Sequence, residues 1–211
     1  QCGENGVIYD LGCSTGATMI MMDQTVPQHI KFVGIDDSEP MLEKCKAKLE
    51  ERGMTRPYSL EVADLNSGQV PMKDATVVIL CLTLQFVRPI AREKLLRSIH
   101  DQLQPGGVLI VETPDMEWLC TAFLQANDEF TSFYQAGAID HYFGHGKSYE
   151  HRWGMITTHF FGNQNGEGQF HKNGYTKQKF IDIAHLVGFS SCEVLKLVNK
   201  GAGAIRARII K

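Results

Sequence analysis

No two of the six cysteines in this 211-residue sequence are spaced as Cys-x-x-Cys. That absence argues against a zinc ribbon and against a thioredoxin-type dithiol. No apolar stretch is long enough to read as a membrane span, and no secretory leader is expected. Lysine and arginine number 21 against 24 acids, with no basic run, so no nucleic-acid partner is expected. Internal repeats and low-complexity tracts are also missing. These absences lead to the expectation of a cytoplasmic protein with free thiols at Cys2, Cys13, Cys45, Cys81, Cys120 and Cys192.

What is present is an apolar content of 43%, enough for one globular domain over 1–211. Strand and helix patterns alternate. Val7–Leu11, Lys31–Ile35, Ser59–Ala63, Ala75–Thr83 and Val108–Glu112 read as strands. Helices are expected over 17–22, from Pro40 onward, and over 92–103, where Pro105-Gly106-Gly107 stops the pattern. Alternation of this kind implies an α/β fold with a parallel, doubly wound sheet. After Pro114 the pattern changes. An amphipathic helix starts near Met116, and the period is then lost until a helix over 176–187 and two closing strands, 192–198 and 203–210. The stretch 114–175 is therefore expected to be a helical and irregular lid inserted after the fifth strand.

The chemistry starts at Asp10-Leu-Gly12-Cys13-Ser14-Thr-Gly16. A tight glycine turn between strand and helix lets the backbone approach a nucleotide, next to free N–H groups at the helix start. The same letters spell Gly-x-Ser-x-Gly, a nucleophile elbow with Ser14 as nucleophile. That hydrolase reading needs an oxyanion donor from an earlier strand–helix loop, and almost nothing precedes residue 7. The second strand ends in Asp36-Asp37, with Asp36 24 residues past Gly12, where an acid can accept from a ribose diol. Asp37 or Ser38 could instead cap the following helix. Ala63-Asp64-Leu65 closes the third strand, and an acid there could meet an adenine amino group or simply sit in a surface turn. The spacing of Gly12 and Gly16 does not match the Gly-x-Gly-x-x-Gly of NAD enzymes.

From about Gly6 onward the chain resembles class I S-adenosylmethionine methyltransferases. The likeness rests on Val7–Gly16, Phe32–Met41, Ala63-Asp64 and Leu103–Val111, in that order and spacing. It implies a Rossmann-like seven-stranded sheet with the last strand antiparallel, and S-adenosyl-L-methionine as cofactor. Gly12, Cys13 and Ser14 would pass under the methionine part, and Asp36 would take the ribose. Asp37 and Met41 would flank the adenine, and Asp64 and Leu65 would meet its edge. Cys81 would face the methionine moiety. Asp10, Gly16 and Ala63 belong to the same matching stretches and are counted with the cofactor site.

Two subfamilies are similar in more detail. Tyr9–Ser14 and Leu82–Phe86 look like carboxy-S-adenosylmethionine synthases, which serve tRNA wobble-uridine modification. Those enzymes pair the added carboxylate with an arginine in the C-terminal helix. Here 177–187 has no arginine, and Cys81 stands where they carry an asparagine. Phe161–Gln164 and Phe170–Thr176 look like methyltransferases of glycan pathways.

The expected activity is methyl transfer to an oxygen or nitrogen of a small molecule of sugar or natural-product type. A catalytically inactive cofactor-binding regulator is the alternative outside enzymology, and a homodimer is compatible with either. His171 is the first candidate base, unless it only holds its loop, and Glu112 is the second. His141 and His145, with Asp140 or His151, could hold a metal on a helix, but no metal is expected. The aromatics Trp118, Phe123, Phe130, Tyr134, Tyr142, Trp153 and Phe161 could line an acceptor pocket or form a lid core.

Overall fold

Val7–Leu11 (β1) is apolar except for Asp10, and every residue from Ile8 to Leu11 is buried. A strand buried on both faces belongs in the middle of a sheet covered by helices. In the computed structural model, which describes residues 6–125, 160–162, 170–199 and 202–211, β1 holds that place. It pairs in parallel with Lys31–Asp36 (β2) on one side and Ala75–Cys81 (β4) on the other. Tyr58–Val62 (β3) lies outside β2, and Leu103–Pro114 (β5) outside β4. Ser191–Asn199 (β6) and Ala202–Ile210 (β7) complete the order β3-β2-β1-β4-β5-β7-β6. β7 runs antiparallel to both neighbours, the arrangement that the resemblance implies.

Helices cover both faces. Ala17–Asp23 (α1) and Glu39–Glu51 (α2) set Met19, Leu42, Cys45 and Leu49 against Ile8, Phe32 and Ile79. Pro89–Gln102 (α3) and Lys177–Val187 (α5) set Leu95, Ile99, Phe180 and Ala184 against Val78, Leu80 and Val111. Between β5 and α5 in sequence, Met116–Gln125 forms α4. Of the expected lid, 126–159 and 163–169 lie outside the described residues, and with them His141, His145, His151 and His159.

Beyond shifts of a few residues at element ends, two local features differ from the sequence pattern. β5 starts at Leu103, not Val108: Ala75 faces Leu103 and Val77 faces Val108, so 104–107 loop out of the ladder and pairing resumes. The Pro105-Gly106-Gly107 turn is therefore a bulge within a strand, with Gly106 at φ 74°. The second difference is at α2. Ser38 occupies its N-cap position but makes no side-chain cap. Asp36 Oδ1 instead accepts the Ser38 N–H at 3.0 Å.

One hub braces the turn after α1. The Arg56 side chain is fully buried and ion-paired to Asp23. It donates to the carbonyls of Asp23, Val26, Pro27 and Ile30, and its guanidinium lies 3.9 Å from the Phe32 ring centroid. No helix among the described residues is long and apolar enough to cross a membrane.

Candidate cofactor site

The glycine turn is built by backbone conformation first. Gly12 has φ 74° and Gly16 φ 78°, values that side chains disfavour. A Cβ at Gly12 would also lie 2.7 Å from Thr83 Oγ1 and nearer still to its Cγ2. The N–H groups of Gly12 and Cys13 both donate to the Ile35 carbonyl, at 2.7 and 3.1 Å, which folds the turn back over β2. Lys48 Nζ holds the Thr15 hydroxyl at 2.8 Å from α2. Ser14, at φ 49°, is a non-glycine residue in the left-handed region, and Leu82, at φ 54°, is another. Strain at such positions persists only where the surroundings over-determine it.

The turn opens onto a cleft of about 470 Å³ at the carboxyl edge of the sheet. Gly12, Ser14, Asp36, Asp37, Asp64, Leu65 and Cys81 line it, so seven of the residues expected from sequence come together there. Ligands of open α/β sheets bind at this edge, where neighbouring strands diverge. Each Asp36 oxygen accepts one backbone N–H, Oδ2 from Ser14 at 2.9 Å and Oδ1 from Ser38 at 3.0 Å. A carboxylate has lone pairs left for two hydroxyls after that. Asp64 Oδ1 accepts from the N–H and the side chain of Asn66, so Asp64 both caps a short 3₁₀ turn, Leu65–Ser67, and faces the cleft. Burial and the charges of Asp36 and Asp64 raise the Asp37 carboxyl above its ordinary range, with Lys172 pulling the other way.

Asp10 is 2% exposed, and its Oδ2 has no hydrogen-bond partner among the described residues. Burial, and then the charge of Asp36, raise it to about 7. Cys13 is buried under the turn and hydrogen-bonded to Cys45, which with burial holds its thiol far above the usual range. Burial also pushes the Cys81 thiol up. Gly16 ends the turn and lets Cys45 close in: a Cβ there would stand 2.6 Å from Cys45 Sγ. Ala63 donates its N–H to the Asp36 carbonyl at 3.0 Å. Asp10, Cys13, Gly16, Met41 and Ala63 do not line the cleft, and Met41 is 36% exposed on the first turn of α2.

The far wall was not foreseen. It comes from Leu82, Thr83, Phe86 and Val87 after β4, and from Lys172. The strap 171–175 is stapled to that loop. Lys172 donates its N–H to Gln85 O at 2.7 Å and its ammonium to Phe86 O at 2.9 Å. Arg92 reaches from α3 to the carbonyls of Val87 and Lys172, at 2.8 and 2.7 Å. The Leu82–Phe86 stretch is visible in the sequence as a motif. Lys172 falls within the Phe170–Thr176 motif, but nothing local assigns it to this cleft, because only the tertiary fold brings it beside Phe86.

The two candidate bases sit differently. The His171 ring meets the Phe86 ring edge-on, centroids 4.9 Å apart, one ring behind the cleft wall. Glu112 stands beside Cys81 in the sheet, and Arg206 grips its Oε2 with two donors at 2.9 and 2.8 Å. Among the described residues no histidine lines the cleft beside Ser14, which a hydrolase elbow would need. No group of three metal-ligating side chains occurs among them either.

The arrangement fits a cationic, ribose-bearing cofactor: a glycine cradle that a Cβ would fill, an acid with free lone pairs at the tip of β2, and an orphaned buried carboxylate below. Residues 8–107 match the family described as a methyltransferase domain. A carboxy-S-adenosyl-L-methionine synthase from Methylococcus capsulatus is 47% identical over 105 residues, covering 49% of this chain and 43% of that protein. One from Desulfotalea psychrophila is 39% identical over 132 residues, covering 62% and 51%. The chain thus spans about half the length of the curated relatives it matches. In fold it is similar to magnesium protoporphyrin IX methyltransferase from Synechocystis, solved with bound SAH, at a TM-score of 0.63 and 14% identity over 99% of this chain and 76% of that one. Glycine turn, sheet order and matched segment together make residues 8–107 similar to a methyltransferase domain, in a fold shared with solved S-adenosylmethionine-dependent methyltransferases.

Proposed function

We propose that this protein transfers the methyl group of S-adenosylmethionine to an oxygen or nitrogen of a small molecule. The observation that carries the reading is Asp36. It is locked by the Ser14 and Ser38 N–H groups and presents its remaining lone pairs to the cleft. The bound cofactor supplies an activated methyl group, so the chain's own task is to position an acceptor and exclude water. Gly12 and Ser14 support the cofactor from below. The strap with Lys172 and the loop with Phe86 form the opposite wall, where an acceptor would enter. His171, which stands against Phe86 and does not line the cleft, is the proposed proton acceptor through one bridging water, since a hydroxyl acceptor must lose a proton as it is methylated. Glu112 is the weaker candidate, because Arg206 already engages it.

A second reading is carboxy-S-adenosylmethionine formation, favoured by the identity to the synthases over the cofactor half. Against it, α5 has no arginine to meet an added carboxylate, and Cys81 ends β4.

Mass spectrometry of the cofactor after incubation with candidate acceptors separates the two. Methyl transfer leaves S-adenosylhomocysteine and a methylated acceptor. With a carboxylic-acid donor added, the second reading instead gives a cofactor whose sulfonium methyl carries a carboxylate, and a donor that has lost carbon dioxide. If neither S-adenosylmethionine nor S-adenosylhomocysteine binds in calorimetry, both readings fail. His171→Gln should lower turnover about 100-fold with cofactor affinity unchanged.

A further inference from the structure

A second concavity, of about 350 Å³, lies between α3 and α5 on the side of the sheet away from α1 and α2. Leu96 of α3, Ile183, Leu186 and Val187 of α5, and Tyr175 of the strap give it apolar walls. Leu186 is 70% exposed at its rim, an apolar surface that α3 and α5 leave uncovered. Exposed apolar surface gathered in a concavity marks a place for a ligand more readily than a scattered leucine does.

The charges in the groove do not balance. Three charged residues line it, all from α3: Arg92, Glu93 and Arg97. Glu93 and Arg97 satisfy each other at 3.0 Å. Arg92 has no carboxylate partner among the described residues. Its Nε and Nη2 donate to the Val87 and Lys172 carbonyls, and its Nη1 meets no acceptor among them. Burial, and then the nearby charge of Arg92, lower the Lys179 ammonium below its ordinary range. Its ammonium is held by neutral acceptors, Asn173 Oδ1 at 2.6 Å and Gly174 O at 2.9 Å. One wall of an apolar groove thus carries an uncompensated guanidinium with donors to spare. Guanidinium is the group best shaped to take a carboxylate through two parallel hydrogen bonds.

We propose that this groove binds a small apolar carboxylate, an aromatic or branched acid, whose anionic end pairs with Arg92 and whose apolar body rests on Leu96, Ile183 and Leu186. The site is separate from the cofactor cleft, yet the same guanidinium holds two carbonyls of the cleft wall, those of Val87 and Lys172.

The test uses the full chain with saturating S-adenosylhomocysteine and the fluorescent anion 8-anilinonaphthalene-1-sulfonate as probe. Saturable binding is expected, displaced by 3-phenylpropanoate and not by 3-phenylpropanol. Arg92→Gln should weaken the probe about tenfold or more, the loss of a charge-assisted pair. Leu186→Glu, at a 70% exposed position, should abolish binding by putting a carboxylate on the groove's apolar wall, where it repels the anion. Equal displacement by the alcohol would overturn the proposal, as would unchanged binding in the Leu186→Glu protein with a wild-type melting curve.

Discussion

The backbone N–H of Ser14 donates to Asp36 Oδ2 at 2.9 Å, tying the glycine turn to the tip of the neighbouring strand. One carboxylate thus holds the turn in place and, in the proposed reading, also takes the cofactor's ribose. Asp36→Ala removes both functions. Calorimetry should show affinity for S-adenosylhomocysteine reduced about 100-fold, two charge-assisted hydrogen bonds' worth. An unchanged affinity would take Asp36 out of the site.

Gly12→Ala tests the cradle from its other side. The new methyl group would sit at φ 74° and press on Thr83. Cofactor affinity should fall at least tenfold. Adding Thr83→Ser should restore only part of it, because the backbone penalty of about 1 kcal/mol or more stays when the clash is eased. Full recovery in the double variant would show that the left-handed conformation is irrelevant.

Asp10 makes stability and binding depend on pH. Its carboxyl titrates near 7 in the folded chain against 3.8 for an ordinary aspartate. Below pH 4 the group is protonated in both folded and unfolded chains. Between about 4 and 7 the unfolded chain releases its proton first, so the stabilising contribution is lost as pH rises. Above 7 the loss is complete, on the order of 4 kcal/mol. Asp10→Asn should therefore match the wild type in urea unfolding near pH 4 and exceed it at pH 8. A cationic cofactor on the turn above Asp10 favours the ionised form, so affinity for S-adenosylmethionine should rise through pH 7 in the wild type, and this rise should vanish in the variant.

Arg56→Met should lower stability by about 3–5 kcal/mol, since it strands the Asp23 carboxylate and four carbonyls that the guanidinium now satisfies. For a chain of this size that is a drop in Tm of roughly 10 °C, read by calorimetry. Cofactor affinity at low temperature should be unchanged, because Arg56 lies beneath β2 and not in the cleft.

Legibility from sequence follows the range of the interactions. The turn from Gly12 to Gly16, Asp36 and Asp64 are each placed by their own strand end, so spacing alone finds them. The same holds for the alternation that orders β1 to β5. Lys172 is placed by hydrogen bonds to Gln85 and Phe86, and no local pattern announces a partner so distant in the chain. Glu112 illustrates the converse. A strand-end acid reads as a free base until β7 brings Arg206 alongside it. Ser38 carries the letters of a helix cap, but Asp36 takes its N–H.

The place of β7 between β5 and β6 has a consequence for biosynthesis. β6 leaves the ribosome first, yet it has no seat in the sheet until β7 exists to pair with it. Until β7 emerges, the edge of β5 and the whole of β6 are therefore unpaired, so the two strands must join the sheet together as one hairpin.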